Sequence, residues 1–188
     1  NVGDRLQSGG KLDHLYPLFE AMDTFFYTPD SVTTGTTHVR DALDLKRMMS
    51  VVVAALMPIV FFAMYNTGLQ AHRAIIAGGH PLDTWQTRLF EAFGYGYTTD
   101  FWACFFHGAI YFMPVFVVGF AAGITVEVIF ASIRGHEINE GFFVTGFLLP
   151  LTLPPTIPLW QVASGAIFGV LIGKEIFGGT GMNVINPA

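Results

Sequence analysis

Three stretches of this chain are apolar for too long to be packed against water. Residues 48–65 hold no charged side chain, residues 101–133 hold only His107 and Glu127 besides the weakly ionising Cys104 and Tyr111, and residues 142–173 hold none. Each run is about as long as, or longer than, the roughly 20 residues a helix needs to cross the hydrocarbon core of a bilayer. Composition agrees: 52% of residues are apolar, 12% are charged and the mean hydropathy is +0.52, outside the range usual for soluble domains. The chain reads as an all-α, polytopic helical membrane protein. A net charge of −5 leaves no basic footprint for nucleic acid. The single Cys104 can make neither an intrachain disulfide nor a CxxC metal site, and reads as packing. No His/Cys/Asp/Glu set has metal-ligand spacing, and no Walker or Rossmann glycine pattern follows a strand.

The third run is too long for one crossing. As one helix, residues 142–173 would reach about 48 Å at 1.5 Å per residue, against a core of roughly 30 Å. Pro150, Pro154, Pro155 and Pro158 each remove a backbone donor and clash with the preceding turn, so residues 149–158 are expected to be unwound. This predicts a proline-broken, discontinuous transmembrane helix. Unwound backbone at membrane depth is tolerated where it is buried in protein or lines a cavity, as in the binding centres of transporters. The plainer alternatives are a proline-kinked helix without a ligand, or a break at the outer surface.

Basic residues orient the spans. Lys46 and Arg47 precede the first run and Arg134 follows the second, which the positive-inside rule places together on the cytoplasmic side. Arg73 and Arg88, in the intervening stretch 66–100, weigh against this. That stretch also carries "LDTWQTRLFEAF", a short-helix pattern. The organisation is then a cytoplasmic arm, 1–47, and a membrane domain, 48–188, with spans at about 48–66 and 101–133, the broken segment 142–173 and a closing loop 174–188. Residues 1–47 lack the apolar core of a signal peptide and read as a retained arm. The missing initiator Met and the stop at Pro187-Ala188 suggest a fragment.

Glu127 is the residue that most invites a functional reading. A carboxylate inside a spanning helix is costly, and its default reading is functional. Gly119, Gly123 and Glu127 follow at i, i+4 and i+8, so small residues would admit a helix or a flat ligand beside the carboxylate. Alternatively the glycines serve helix packing and Glu127 snorkels to the interface. His107 is better explained as an interfacial or hydrogen-bonded histidine than as a ligand. The loop bearing His136, Glu137, Asn139 and Glu140 reads as a solvated connector. On the residues alone, a transporter and a redox subunit fit equally well.

Longer motifs separate them. "FFYTP" (25–29), "THVRDALDLKRMM" (37–49), "HEINEGFFVTG" (136–146) and "LPPTIPLWQVASGAIFGVLIGKEIFGGTGMNVINPA" (153–188) resemble, in order and across essentially the whole chain, the B-subunit family of the bacterial sodium-translocating NADH:quinone reductase. The D subunit of the Rnf-type ferredoxin:NAD oxidoreductase is similar in the proline-rich segment and the closing FGG…NPA. "FFYTP" and "NEGFFVT" favour the quinone reductase.

The resemblance implies a multi-pass subunit of the inner membrane, with its amino terminus cytoplasmic, working with other subunits of the reductase complex. Electrons would pass through flavins from NADH to ubiquinone, coupled to Na+ export. No catalytic residue is implied in this chain, since NADH oxidation belongs to another subunit. Covalent FMN is carried in the family on the threonine of a Ser-Gly-Ala-Thr motif downstream of NPA. The nearest string here, Ser164 to Ile167, ends in a residue with no hydroxyl, so no covalent FMN is expected within these residues.

Non-covalent riboflavin is placed by the resemblance at Asn183 and Asn186, with Gly178, Gly179 and Gly181 shaping the turn. Glycine allows close approach of a ring, and Asn amides both donate and accept. The plain alternative is a helix-ending Gly-Gly and an Asn-Pro turn without a ligand. The quinone or inhibitor region maps onto Phe120, Gly123, Ile124 and Glu127; Ile124 stands where the family pattern has a second glycine, which would narrow the slot. Glu20 and Glu127 map onto sodium uptake. Two other classes remain on these residues: a flavin-free ion-transport scaffold, and an anchor that only assembles the complex.

Overall fold

The computed structural model describes residues 35–36, 45–134, 141–179, 182 and 185–188. Among them it is all helical: α1, Leu45–Ile76; α2, Trp85–Ala92; α3, Phe101–Arg134; α4, Gly141–Thr152; α5, Leu159–Gly173; and a 3-10 turn, Glu175–Phe177. Three segments are long and apolar enough to cross a membrane: Arg47–Ile76, Phe101–Arg134 and Leu159–Phe177. Their outward faces carry Phe61, Phe62, Val117, Ile129, Trp160 and Phe168, all exposed. A surface of this kind suits a solvent of lipid tails. The protein is a membrane protein.

With 32 and 34 residues, α1 and α3 reach about 48 and 51 Å. Each keeps its course through an internal proline, Pro58 and Pro114 respectively. Where no water competes for the backbone, a helix is retained across a proline that would end it in solution. The two helices run antiparallel, with Gly68 against Cys104, Met64 against Gly108, and Val60 against Phe112. At the first two levels the contact is backbone to backbone. A Cβ on Gly68 would collide with the carbonyl of Cys104, and one on Gly108 with the carbonyl of Met64. Only glycine permits this approach, the small-residue packing that holds helices together where lipid removes the hydrophobic drive.

α2 is short and is pinned from both sides. Thr84 caps it, its Oγ1 accepting from Thr87 N at 3.4 Å, and the hydroxyls of Thr84 and Thr87 meet Tyr111 Oη of α3 at 2.6 and 2.7 Å. The cap therefore also ties α2 to the membrane bundle.

The third run differs in direction from the expected discontinuous span. In α4, Phe142 lies against Gly123, Gly146 against Phe120 and Leu149 against Gly119, so α4 runs antiparallel to α3. In α5, Val162 lies at Gly119 and Val170 at Gly123, so α5 runs parallel to α3. The two helices form a re-entrant hairpin that comes back to the Arg134 end. The turn occupies 153–158 and contains Pro154 and Pro155, with Pro158 as the N-cap of α5. Residues 149–152, expected to be unwound, are helical and include Pro150. Pro150 sits in the last turn of α4, where it withdraws one backbone bond, that to the carbonyl four residues earlier, and Thr152 Oγ1 donates to Leu149 O at 2.8 Å.

The Gly108 contact yields a stability test in the full-length subunit. Gly108→Val should lower thermal stability in detergent by about 1–3 kcal/mol through overpacking. Gly165→Ala, where a Cβ meets no atom within 4 Å, should leave it unchanged or slightly raised. Equal melting of the two variants would contradict the backbone-contact account.

Candidate ion and cofactor site

One row of α3, spaced every fourth residue, carries both candidate ionisable groups. His107, Tyr111, Val115, Gly119, Gly123 and Glu127 are all buried along it. A spacing of four turns by about 40° per step, so the row winds around α3 as a spiral seam, with His107 and Glu127 on different faces. α4 and α5 cover the half containing Gly119 to Glu127.

Here the glycines serve another helix. A Cβ on Gly123 would lie 2.6 Å from the ring of Phe142, which is 1% exposed. Phe120 packs its ring on Phe116, Phe142 and Phe143 at 5.9, 5.2 and 6.0 Å and seats its edge on Gly146. Gly123 is thus covered. Phe120 and Ile124 are half-buried, and Ile124 joins the cluster of Val126, Phe142 and Val170.

Glu127 is 3% exposed, which excludes a snorkelling carboxylate. Its Oε1 accepts from Lys174 Nζ. Lys174 caps α5, is 4% exposed, and holds its Nζ 3.8 Å from Glu175 Oε1. Glu175, at 1%, has Arg134 Nη1 3.8 Å from its Oε2, and the Arg134 guanidinium stands over the Phe130 ring at 5.1 Å. Two acids and two bases therefore close the Arg134 end of the bundle. Sequence reasoning left Lys174 and Glu175 in the closing loop. The signal was present: Val162, Ala166, Val170 and Lys174 continue one buried row at steps of four.

The closing segment begins with two left-handed residues. Gly178 and Gly179 have φ of +121° and +94°, accessible to glycine with little strain. Gly178 N donates to Glu175 O at 3.2 Å and Gly179 N to Lys174 O at 3.1 Å, so they end the 3-10 turn and fold the chain back. Ile185 and Pro187 lie against Gly173, and the Pro187 carbonyl against Gly169. Asn186 is exposed, its Oδ1 accepting from Ala188 N at 3.1 Å. Asn183, Gly181 and Glu20, with His136, Glu137, Asn139 and Glu140, lie outside the described residues.

A second polar nest lies toward the other end of α3. α1 extends beyond the expected limit near residue 66 and brings in His72, fully buried, which continues the row of Leu56, Val60, Met64 and Gly68. Its ring is 4.9 Å from that of His107, and its Nδ1 lies 2.5 Å from Thr98 O. His107 is stacked on Phe90 at 4.5 Å and is buried in the bundle. Cys104 is free and buried, its thiol donating to Thr98 O at 3.3 Å. Tyr97 donates to Glu91 at 2.8 Å; burial first, then this carboxylate, push its phenol up to about 12, so it stays a neutral donor. A cavity of about 250 Å³ opens beside His107, Tyr111 and Thr87, with Pro155 and Thr156 of the hairpin turn on its wall. Among the described residues, no group of three His, Cys, Asp or Glu is placed to hold a metal ion.

A family model described as NQR2, RnfD, RnfE matches residues 32–188. The chain belongs to this family. Relatives named as the B chain of a Na(+)-translocating NADH-quinone reductase align over 100% of it: that of Pseudoalteromonas atlantica at 54% identity, and those of Chromohalobacter salexigens and Azotobacter vinelandii at 53%. The chain spans 47% of the length of each. The resemblance carried by the motifs thus extends from the arm through the hairpin to the closing Asn-Pro.

The buried pair in this NQR2, RnfD, RnfE family member makes a thermodynamic prediction. Lys174→Met leaves a desolvated carboxylate and should cost about 3–5 kcal/mol of stability, whereas Glu127→Gln with Lys174→Met should recover most of it. A double-mutant cycle on the full-length subunit checks this; additive losses would mean that the two side chains do not interact.

Proposed function

We propose that this chain is the amino-terminal part of a membrane subunit of a respiratory sodium pump, which passes electrons through flavins from NADH to quinone and exports Na+. The observation that carries the reading is alignment over the whole chain, at 54% identity, with a relative named for sodium-translocating NADH-quinone reduction. An Rnf D-type subunit fits the family equally, but the motifs "FFYTP" and "NEGFFVT" favour the quinone reductase. The arm, 1–47, is cytoplasmic and the membrane is the bacterial inner membrane. Supporting this, α1 begins beside Lys46 and Arg47 at the end where α3 finishes in Arg134. The other subunits of the complex are its partners, and lipid surrounds the exposed apolar faces.

A flavin, when bound, would supply reversible one-electron chemistry. The closing segment fits the edge of such a ring: Asn186 has an exposed amide, and Gly178 and Gly179 carry no side chain to obstruct approach. Asn186 and Asn183 would bind riboflavin's polar edge, with Gly178, Gly179 and Gly181 setting the turn. Covalent FMN belongs on a threonine beyond residue 188. For ubiquinone, the face of Gly123 does not fit, because Phe142 covers it; the half-buried edge of Phe120 and Ile124 does. Glu127 then supplies negative charge close to that edge, and Glu127 with Glu20 receives sodium.

The test is made in the assembled complex carrying Asn183→Ala with Asn186→Ala. Acid-extracted, non-covalent riboflavin should fall to a small fraction of wild type while covalent FMN is unchanged. Retention of both flavins would show that the closing segment is only a helix-ending turn.

A further inference from the structure

We propose that Glu127 and Glu175 form a two-carboxylate site for Na+, and that the Lys174 ammonium is an internal substitute cation that sodium must displace. The inference rests on the sodium-pump reading and extends it to two residues, Lys174 and Glu175.

The charges are arranged as a cation site already filled from within. Lys174 Nζ is bonded to Glu127 and stands 3.8 Å from Glu175 Oε1, so one ammonium serves two carboxylates that are 3% and 1% exposed. Glu175 remains incompletely served. Its Oε2 is buried with no hydrogen-bond partner, and Arg134 approaches only to 3.8 Å. A buried carboxylate oxygen without a donor is costly, and an oxygen that accepts from no N–H is free to ligate a hard cation, which takes oxygen ligands. The position favours positive charge for a second reason. Lys174 caps the C-terminus of α5, where unpaired carbonyls concentrate the negative end of the helix dipole.

Exchange explains why a carboxylate inside a membrane protein can take up and release a monovalent ion. Without any competing cation, Glu127 would bind Na+ and hold it, while a permanently fixed ammonium would keep Na+ out. With Lys174 as competitor, Na+ entry and ammonium departure leave the net charge of the pocket unchanged, so neither state contains an uncompensated buried ion. The chemistry of lysine suits this role. A compact ammonium on a flexible four-carbon stem can swing aside, whereas a planar guanidinium clamps a carboxylate bidentately.

The experiment uses the complete complex and reads the sodium concentration giving half-maximal quinone reduction, together with the rise in melting temperature on adding NaCl in place of choline chloride. Lys174→Gln should lower half-saturation about tenfold or more, because the competing charge is removed at contact distance, and should enlarge the melting shift. Lys174→Arg keeps the charge but clamps the acid, and should raise half-saturation about tenfold; it remains informative if Lys174→Gln fails to assemble. Glu175→Gln should raise it as well. If both Lys174 variants assemble with wild-type half-saturation and melting shift, Lys174 is a fixed counter-ion and the exchange proposal fails. If Glu127→Gln keeps wild-type sodium dependence, the assignment of sodium to Glu127 fails, and the exchange proposal with it.

Discussion

The bundle depends on the close approach of backbones along α3, because in lipid helices cannot be driven together by escape from water. Gly108 admits α1 at one level, Gly119 and Gly123 admit the hairpin further on, and each glycine is met by a specific neighbour: the Met64 carbonyl, Val162 and the Phe142 ring. The seam made by these small residues ends in Glu127. Its position in the row buries the carboxylate, and its burial demands the ammonium of Lys174. Packing and charge are therefore one problem at this end of the molecule: any movement of α5 along α3 shifts Val170 against Gly123 and Lys174 against Glu127 together.

Much of this was legible in the residues, since apolar runs and the cost of an intramembrane acid act locally. Those properties placed helices in the three long runs and singled out Glu127. Direction was not legible. Prolines say where a helix is interrupted but not whether the chain continues or turns back, and the answer came from which residues of α4 and α5 meet Gly119 and Gly123. Polar residues also misled. Asn66, Thr67, Gln70 and Arg73 suggest an end to the first span, yet the buried row continues through Gly68 to His72 because the polar groups occupy other faces. Lys174 was hidden in the same way, its charge marking the end of an apolar run while its spacing from Val170 marked it as interior.

The two buried polar groups divide the molecule by chemistry. At one end, paired full charges sit close to chain folded by left-handed glycines. At the other, His107, with the His72 ring against it, and Tyr111 border a cavity whose wall includes the hairpin turn. The turn reaches the level of His107 while both hairpin ends stay near Arg134, so the hairpin touches both regions. The turn itself is half-buried to exposed, with Pro155 and Thr156 on the cavity wall.

The charged cluster owes its position to the hairpin's return to the side it entered. The most direct measurement is labelling with a membrane-impermeant maleimide in right-side-out and inverted vesicles, on full-length protein with Cys104 replaced by Ala and single cysteines at Ile133, Phe177 or His80. Ile133 and Phe177 should label from one side and His80 from the other. If Phe177 labels with His80 instead, α4 and α5 together make a single crossing, and the hairpin that returns to the Arg134 side is wrong.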